Sequence, residues 1–193
     1  EAPWLQGRKL LLLEPRRLAA RAAAHRMATA LNERPGDTIG YRMRLDTKVG
    51  PKTRLEVVTE GILTRLLQQD PSLSAYGAVL FDEFHERSLD ADLGLALARE
   101  TQGALREDLR LLVMSAPLDV AGVSRLLDGA PVIEVSGRMF PVEVRYRPLK
   151  QRDEDEREME MEDAIVEAVE EISRHGPGDM LVFLPGEREI RDT

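Results

Sequence analysis

The chain of 193 residues contains no cysteine. That excludes disulfides, cysteine ligands for zinc and a thiol nucleophile, and it leaves oxygen-ligated cations as the metal ions suited to the chain. No run approaches the ~18 to 20 apolar residues of a membrane span. The opening Glu1-Ala2-Pro3-Trp4 lacks the basic and apolar regions of a signal peptide. The expectation is a cytoplasmic protein with no membrane partner. No Gly-x-x-x-x-Gly-Lys-Ser/Thr occurs, so the glycine-rich loop and lysine that cradle nucleotide phosphates are missing. Gly-x-Gly-x-x-Gly is missing after the first apolar run, where Glu14-Pro15-Arg16-Arg17 stands instead, which excludes a dinucleotide oxidoreductase. His85-Glu86 begins a zinc-protease pattern, but Leu89 occupies the place of its second histidine.

What the chain does have is 42% hydrophobic residues, enough for a sizeable core in one large domain, or in one domain and part of another. The formal charge of −8 is unevenly spread. Residues 1–65 hold thirteen Lys and Arg against seven Asp and Glu, a net +6, which leaves −14 to the rest. The basic end is the part suited to face phosphates, although an ordinary solvated surface has the same composition.

The chain is organised around Ala78-Val79-Leu80-Phe81, which reads as a buried strand running straight into Asp82-Glu83-Phe84-His85. The acids therefore sit at the carboxyl end of a strand, where open α/β sheets keep their ligands. Successive side chains diverge, so one acid can face a bound metal while the other faces a water. Hydrolysis of a magnesium nucleotide requires that division. The competing reading is a helix start, where acids complement the helix dipole and cap free N–H groups.

Taken in order, Lys9–Leu13 is a buried strand stopped by Pro15, and Arg17–Leu31 is a helix with Leu18, Ala22, Met27 and Leu31 as its apolar positions. Arg16 and Arg17 fall beside the free N–H groups of the helix start, a place to hold phosphate. His25 reads as a surface or packing residue. Tyr41–Leu45 is a short alternating strand with Arg42 and Arg44 on one face, and Leu55–Val58 is the next strand. Thr59 then caps a helix over Glu60–Gln69, with Gly61 in its first turn, where a polymer backbone can approach closely. After the acids come a helix over Asp90–Gln102 with Leu89, Leu93 and Leu97 at four-residue intervals, a strand over Leu109–Met114 ending in Ser115-Ala116-Pro117, and a helix over Val120–Leu127. Val132–Val135 and Val142–Tyr146 read as strands. The alternation predicts an α/β fold with a doubly wound, mostly parallel sheet. Residues 150–163 carry eight acids and three bases, the composition of a solvated linker. Beyond it a helix over Asp163–Arg174, a strand over Met180–Leu184 and a helix start at Glu187 open a second unit. The expected domains are 1–147, a linker at 148–162, and 163–193.

Six ordered segments carry a resemblance: Leu12–Arg21, Gly40–Arg44, Thr59–Leu63, Asp82–His85, Ser115–Pro117 and Leu181–Gly186. Along the whole chain they resemble the DEAH-type (DExH) RNA helicases of superfamily two, in the phenylalanine-containing form of the bacterial HrpB type. They are similar to motif Ia, the segment before motif Ib, motif Ib, and motifs II, III and IV. The resemblance implies two RecA-like domains of the P-loop NTPase type and an ATP- and Mg²⁺-dependent motor acting on single-stranded or partly duplex RNA. By the same resemblance Asp82 holds Mg²⁺, Glu83 activates the water and His85 links the nucleotide site to motif III. Arg16, Arg17, Arg42, Arg44, Thr59 and Gly61 grip the RNA backbone, Arg26 lies near the nucleotide base, and Ser115, Ala116 and Pro117 couple hydrolysis to unwinding. Such backbone contacts tolerate any sequence and weaken with salt.

Two departures stand out. The phosphate loop is expected upstream of Glu1, and the arginines of the last two helicase motifs downstream of Thr193. Motif III ends in Pro117 where the family has threonine, which removes a hydroxyl and an N–H from the coupling segment. A DNA motor and a catalytically inactive nucleic-acid-binding module remain alternatives, since backbone contacts alone do not distinguish the sugars.

Overall fold

The computed structural model describes residues 3–116, 120–135, 137, 140–144, 146, 161–174, 176 and 178–192. Pro117 and most of the expected acidic linker lie outside the described residues. The chain divides into two compact units, Glu1–Val135 and Ser136–Thr193.

In the first unit β1 (Lys9–Glu14), β2 (Ile39–Met43), β3 (Asp46–Lys48), β4 (Leu55–Thr59), β5 (Tyr76–Phe81) and β6 (Arg110–Val113) form one sheet in the order β3-β2-β4-β1-β5-β6. All pairings are parallel except β2 with β3, a hairpin that turns through Arg44-Leu45. Three helices make the parallel returns: α1 (Arg17–Ala30) after β1, α2 (Glu60–Gln69) after β4 and α3 (Leu89–Ala104) after β5. Strand alternation divides the apolar residues between two faces. Leu12, Tyr41 and Val57 lie under α1, whereas Leu11, Leu13, Val58, Val79 and Phe81 lie under α2 and α3. The sheet is doubly wound and mostly parallel, as its strand-helix alternation implies. A short α4 (Val120–Leu126) follows β6.

Helix faces differ from the expected stripes. The face of α1 on the sheet is Ala20, Ala24 and Ala28, all fully buried, while Leu18 and Leu31 are exposed. Alanines four apart let the helix axis approach the strands closely, and the larger leucines take the outer side. In α3 the buried residues are Ala91, Gly94, Leu95, Ala98 and Thr101, so Leu89 and Leu93 point away from the sheet. Gly94 keeps this contact tight: a Cβ there would stand 3.0 Å from a terminal methyl of Leu63, which would have to give by a few tenths of an ångström. Small residues again set the contact.

One acid inside the sheet is fully paired. Glu56 is completely buried and accepts from Lys9 Nζ at 2.7 Å, Arg42 Nε at 2.6 Å and the Tyr76 hydroxyl at 3.0 Å. Burial alone would raise its pKa, but the hydrogen bonds and charges of Arg42 and Lys9 outweigh it and hold the group below its ordinary value. A depressed folded pKa means that the stabilisation is present above the unfolded value of 4.5 and is lost as pH falls below it. Glu56→Ala is expected to cost about 3 kcal/mol at neutral pH, the low end for a broken buried pair, because Lys9 and Arg42 can turn to water. Urea unfolding of both proteins should show that gap narrowing below pH 4.5; a pH-independent gap would contradict this account of Glu56.

The second unit contains α5 (Met161–Ser173), with Ala164 buried, and α6 (Glu187–Asp192). The strands expected at Val132–Val135, Val142–Tyr146 and Met180–Leu184 do not form among the described residues. Ile133, Val142 and Phe183 are 82 to 87% exposed. Strand pairing satisfies backbone groups only through a neighbour, and none pairs with these segments among the described residues.

Candidate active site and nucleic-acid interface

Parallel pairing brings the carboxyl ends of β2, β4, β1, β5 and β6 to one edge of the sheet. The segments that follow them are Arg44, then Thr59-Glu60-Gly61, then Glu14 to Arg17, then Asp82 to His85, then Met114 to Ala116. Neighbouring strands are ~4.8 Å apart, so the acids after β5 and the hairpin tip after β2 lie about 15 Å from each other along this edge.

The acid loop is built by a backbone kink. Asp82 N–H donates to the Leu13 carbonyl at 3.0 Å, which continues the β1 pairing one residue past β5. Glu83 then takes φ +48°, the left-handed region, at a cost of about 1 to 2 kcal/mol for a side-chain-bearing residue. Its N–H donates to Asp82 Oδ1 at 2.9 Å. A 3-10 turn over Phe84–Glu86 follows. Phe84 is buried edge-on against Phe81 and donates its N–H to the Met114 carbonyl at 3.1 Å. The kink leaves Asp82 half-buried and Glu83 exposed, so the two acids occupy different environments.

His85 joins this loop to the segment after β6. Its Nδ1 accepts from the Ala116 N–H at 3.1 Å, which leaves Nε2 to carry the proton, 3.3 Å from Glu83 Oε2. Ser115 donates its hydroxyl to the Ala116 carbonyl at 2.9 Å. Pro117 lies outside the described residues.

Glu14 was not foreseen as part of the site, since the strand predicted over Lys9–Leu13 stops short of it. Glu14 is the last residue of β1 and only 6% exposed. Burial, then the charge of Asp82 and a hydrogen bond to it, then Glu83 and Glu86, push its carboxyl up to about 7. The available signal was register. Leu13 pairs with Phe81, so the residues that follow them, Glu14 and Asp82, had to meet.

On the basic side Arg16 forks onto Glu86, with Nε to Oε2 at 3.1 Å and Nη2 to Oε1 at 2.9 Å. Arg16 is 73% exposed in its side chain, and a surface pair of this kind adds little stability. The same fork fits a phosphate. Arg17 Nη2 donates to the Arg44 carbonyl at 3.2 Å, which ties the start of α1 to the hairpin tip. Thr59 occupies the N-cap position of α2 but makes no side-chain cap bond. Ser88 instead caps α3, accepting from the Ala91 N–H, and donates its hydroxyl to Glu60 in the first turn of α2. Gly61 is exposed, and a Cβ placed on it would meet nothing within 4 Å, so packing does not require a glycine there. Two expected residues stand apart. Arg42 is committed to Glu56 within the sheet, and Arg26 is exposed nine residues down α1 from Arg17, about 13 Å from the helix start.

The donor set suits Mg²⁺. Asp82 and Glu83 supply hard carboxylate oxygens, and among the described residues no group of three or more His, Asp or Glu forms a self-sufficient metal cage. Mg²⁺ is held by one or two carboxylates together with substrate phosphates, and it does not need such a cage.

No protein-family model matches the chain. It is 54% identical over 189 residues to the ATP-dependent RNA helicase HrpB of Escherichia coli K12, covering 98% of this chain and 22% of that protein. It is 46% identical over 180 residues to the ATP-dependent RNA helicase HrpA of the same strain, covering 93% of this chain and 14% of that protein. The crystal structure of E. coli DEAH/RHA helicase HrpB matches with a TM-score of 0.86 over 96% of this chain and 23% of that one. The chain thus spans about a fifth of the length of HrpB. Among the described residues no helix is long and apolar enough to cross a membrane.

Proposed function

We propose that the chain, 54% identical to part of HrpB and alike in fold, belongs to the HrpB-type DEAH helicases and forms the hydrolytic and nucleic-acid-facing edge of an ATP-dependent RNA helicase working in the cytoplasm. The observation that carries this reading is the single sheet edge: acids after β5, basic and open backbone positions after β1, β2 and β4, and His85 bonded to the segment after β6. Bound Mg·ATP supplies the phosphoryl group and the charge that neutralises its oxygens. In this reading Asp82 faces the metal, and exposed Glu83 orients the attacking water and takes its proton. His85, held by Glu83 and Ala116, makes the position of Ser115-Ala116 depend on that of Glu83. Arg16, Arg17, Arg44, Thr59 and Gly61 contact the RNA backbone, and Arg42 serves the sheet. Arg26, exposed on α1, is placed by the same reading near the nucleotide base, which lies away from the phosphates that the acids face.

The RNA side is tested by salt. In the complete protein, Arg16→Ala and Arg17→Ala should each weaken single-stranded RNA binding uniformly across sequences. Each should also lower the slope of log affinity against log salt by about 1, since each phosphate contact releases about one counterion. Fluorescence anisotropy at several salt concentrations measures it. Slopes unchanged in both variants would remove these arginines from the interface.

A further inference from the structure

Arg16, read above as a contact to the RNA backbone, already holds an anion. Arg16 and Glu86 are 70 residues apart in the chain and meet because β1 and β5, the strands they follow, pair with each other. Both carboxylate oxygens are engaged, Oε2 by Arg16 Nε at 3.1 Å and Oε1 by Nη2 at 2.9 Å. An arginine fork holds a carboxylate or a phosphate through the same parallel N–H bonds, so these two donors serve one anion at a time. The pair is not there for stability, since the Arg16 side chain is 73% exposed and such pairs contribute little.

The backbone presents Glu86 to Arg16 from a fixed place. Glu86 ends the 3-10 turn over Phe84–Glu86 and donates its N–H to the Glu83 carbonyl at 2.9 Å. Buried Phe84 fastens that turn to the Met114 carbonyl. Glu83 at φ +48° and Arg87 at φ +44° bracket it, both in the left-handed region that is unfavourable for residues with side chains. Strain of this kind persists where the surrounding structure enforces it, and it gathers at functional sites. We propose that Glu86 is an internal competitor for RNA: in the RNA-free protein its carboxylate occupies the Arg16 fork, and a backbone phosphate takes the fork only by displacing it. The inference rests on the reading of Arg16 given above. Displacement costs the Arg16–Glu86 pair and leaves a free carboxylate beside the phosphate, so Glu86 lowers RNA affinity. Its removal therefore has the opposite sign to the loss of a contact residue.

The test is binding of fluorescently labelled single-stranded RNA to the complete protein without nucleotide, followed by anisotropy at one salt concentration, with circular dichroism as a check on folding. Glu86→Ala should tighten binding about two- to fivefold, the range that an exposed pair allows. In an Arg16→Ala background the same substitution should change nothing, because no fork remains to be freed. Glu86→Gln, uncharged and of the same size, should tighten binding as well, and it replaces Glu86→Ala if that variant does not fold. Tightening of equal size with and without Arg16 would reveal a general effect of charge and overturn the competition. Binding unmoved or weakened by loss of Glu86, while Arg16→Ala weakens it, would overturn the competition and leave Arg16 in the interface. If Arg16→Ala leaves RNA affinity unmoved, the reading of Arg16 fails and this inference with it.

Discussion

Glu83→Gln in the complete protein is expected to abolish ATP turnover while leaving Mg·ATP binding nearly intact. The substitution keeps the shape of the side chain and removes a base worth ~10² to 10⁴-fold in rate. It also leaves an uncharged oxygen near His85 Nε2, now 3.3 Å from Glu83 Oε2, and does not touch the Ala116 N–H bond to His85 Nδ1, so that link should survive. Asp82→Asn should behave differently, weakening Mg·ATP binding as well as turnover, because it removes negative charge that balances the metal. The positions differ as the roles do: Asp82 is half-buried beside Glu14, and Glu83 is turned outward by its left-handed backbone. Nucleotide titration beside single-turnover hydrolysis separates the two. Equal loss of nucleotide affinity in both variants would show that the roles are not divided.

The 193-residue chain by itself is expected to hydrolyse ATP no faster than background, with or without RNA. It contains no Gly-x-x-x-x-Gly-Lys-Ser/Thr, and a carboxylate pair without the phosphate loop has nothing to hold the γ-phosphate against the attacking water. Positioning alone contributes about 7 to 11 kcal/mol to reactions of this kind, so its absence leaves no measurable rate. Phosphate release from the purified chain decides the matter. Clear RNA-stimulated turnover would mean that other residues of this chain cradle the phosphates.

The sheet was legible because its strands are short apolar runs stopped by Pro15, by Thr59 and by Asp82, and these punctuation marks are local. Helix faces were less legible. The sequence offers Leu18 and Leu31 as the apolar stripe of α1, but the sheet accepts Ala20, Ala24 and Ala28, because the space between layers favours small residues over hydrophobic ones. The acids of the site were legible from one stretch, and their partners were not. Glu14 meets Asp82, and Arg42 leaves the surface for Glu56, only through the order in which the strands pair. That order is a property of the whole sheet. Apolar runs at Val132, Val142 and Met180 show the converse, since local pattern predicts strands where no partner strand lies alongside among the described residues.

The most direct test of the account is phosphate release by the complete protein with single-stranded RNA, with single-stranded DNA of the same sequence, and with neither. The account predicts a rate raised by RNA well above the rate without nucleic acid, with a stimulation that declines as salt rises. Hydrolysis indifferent to RNA, or raised equally by DNA, would contradict it.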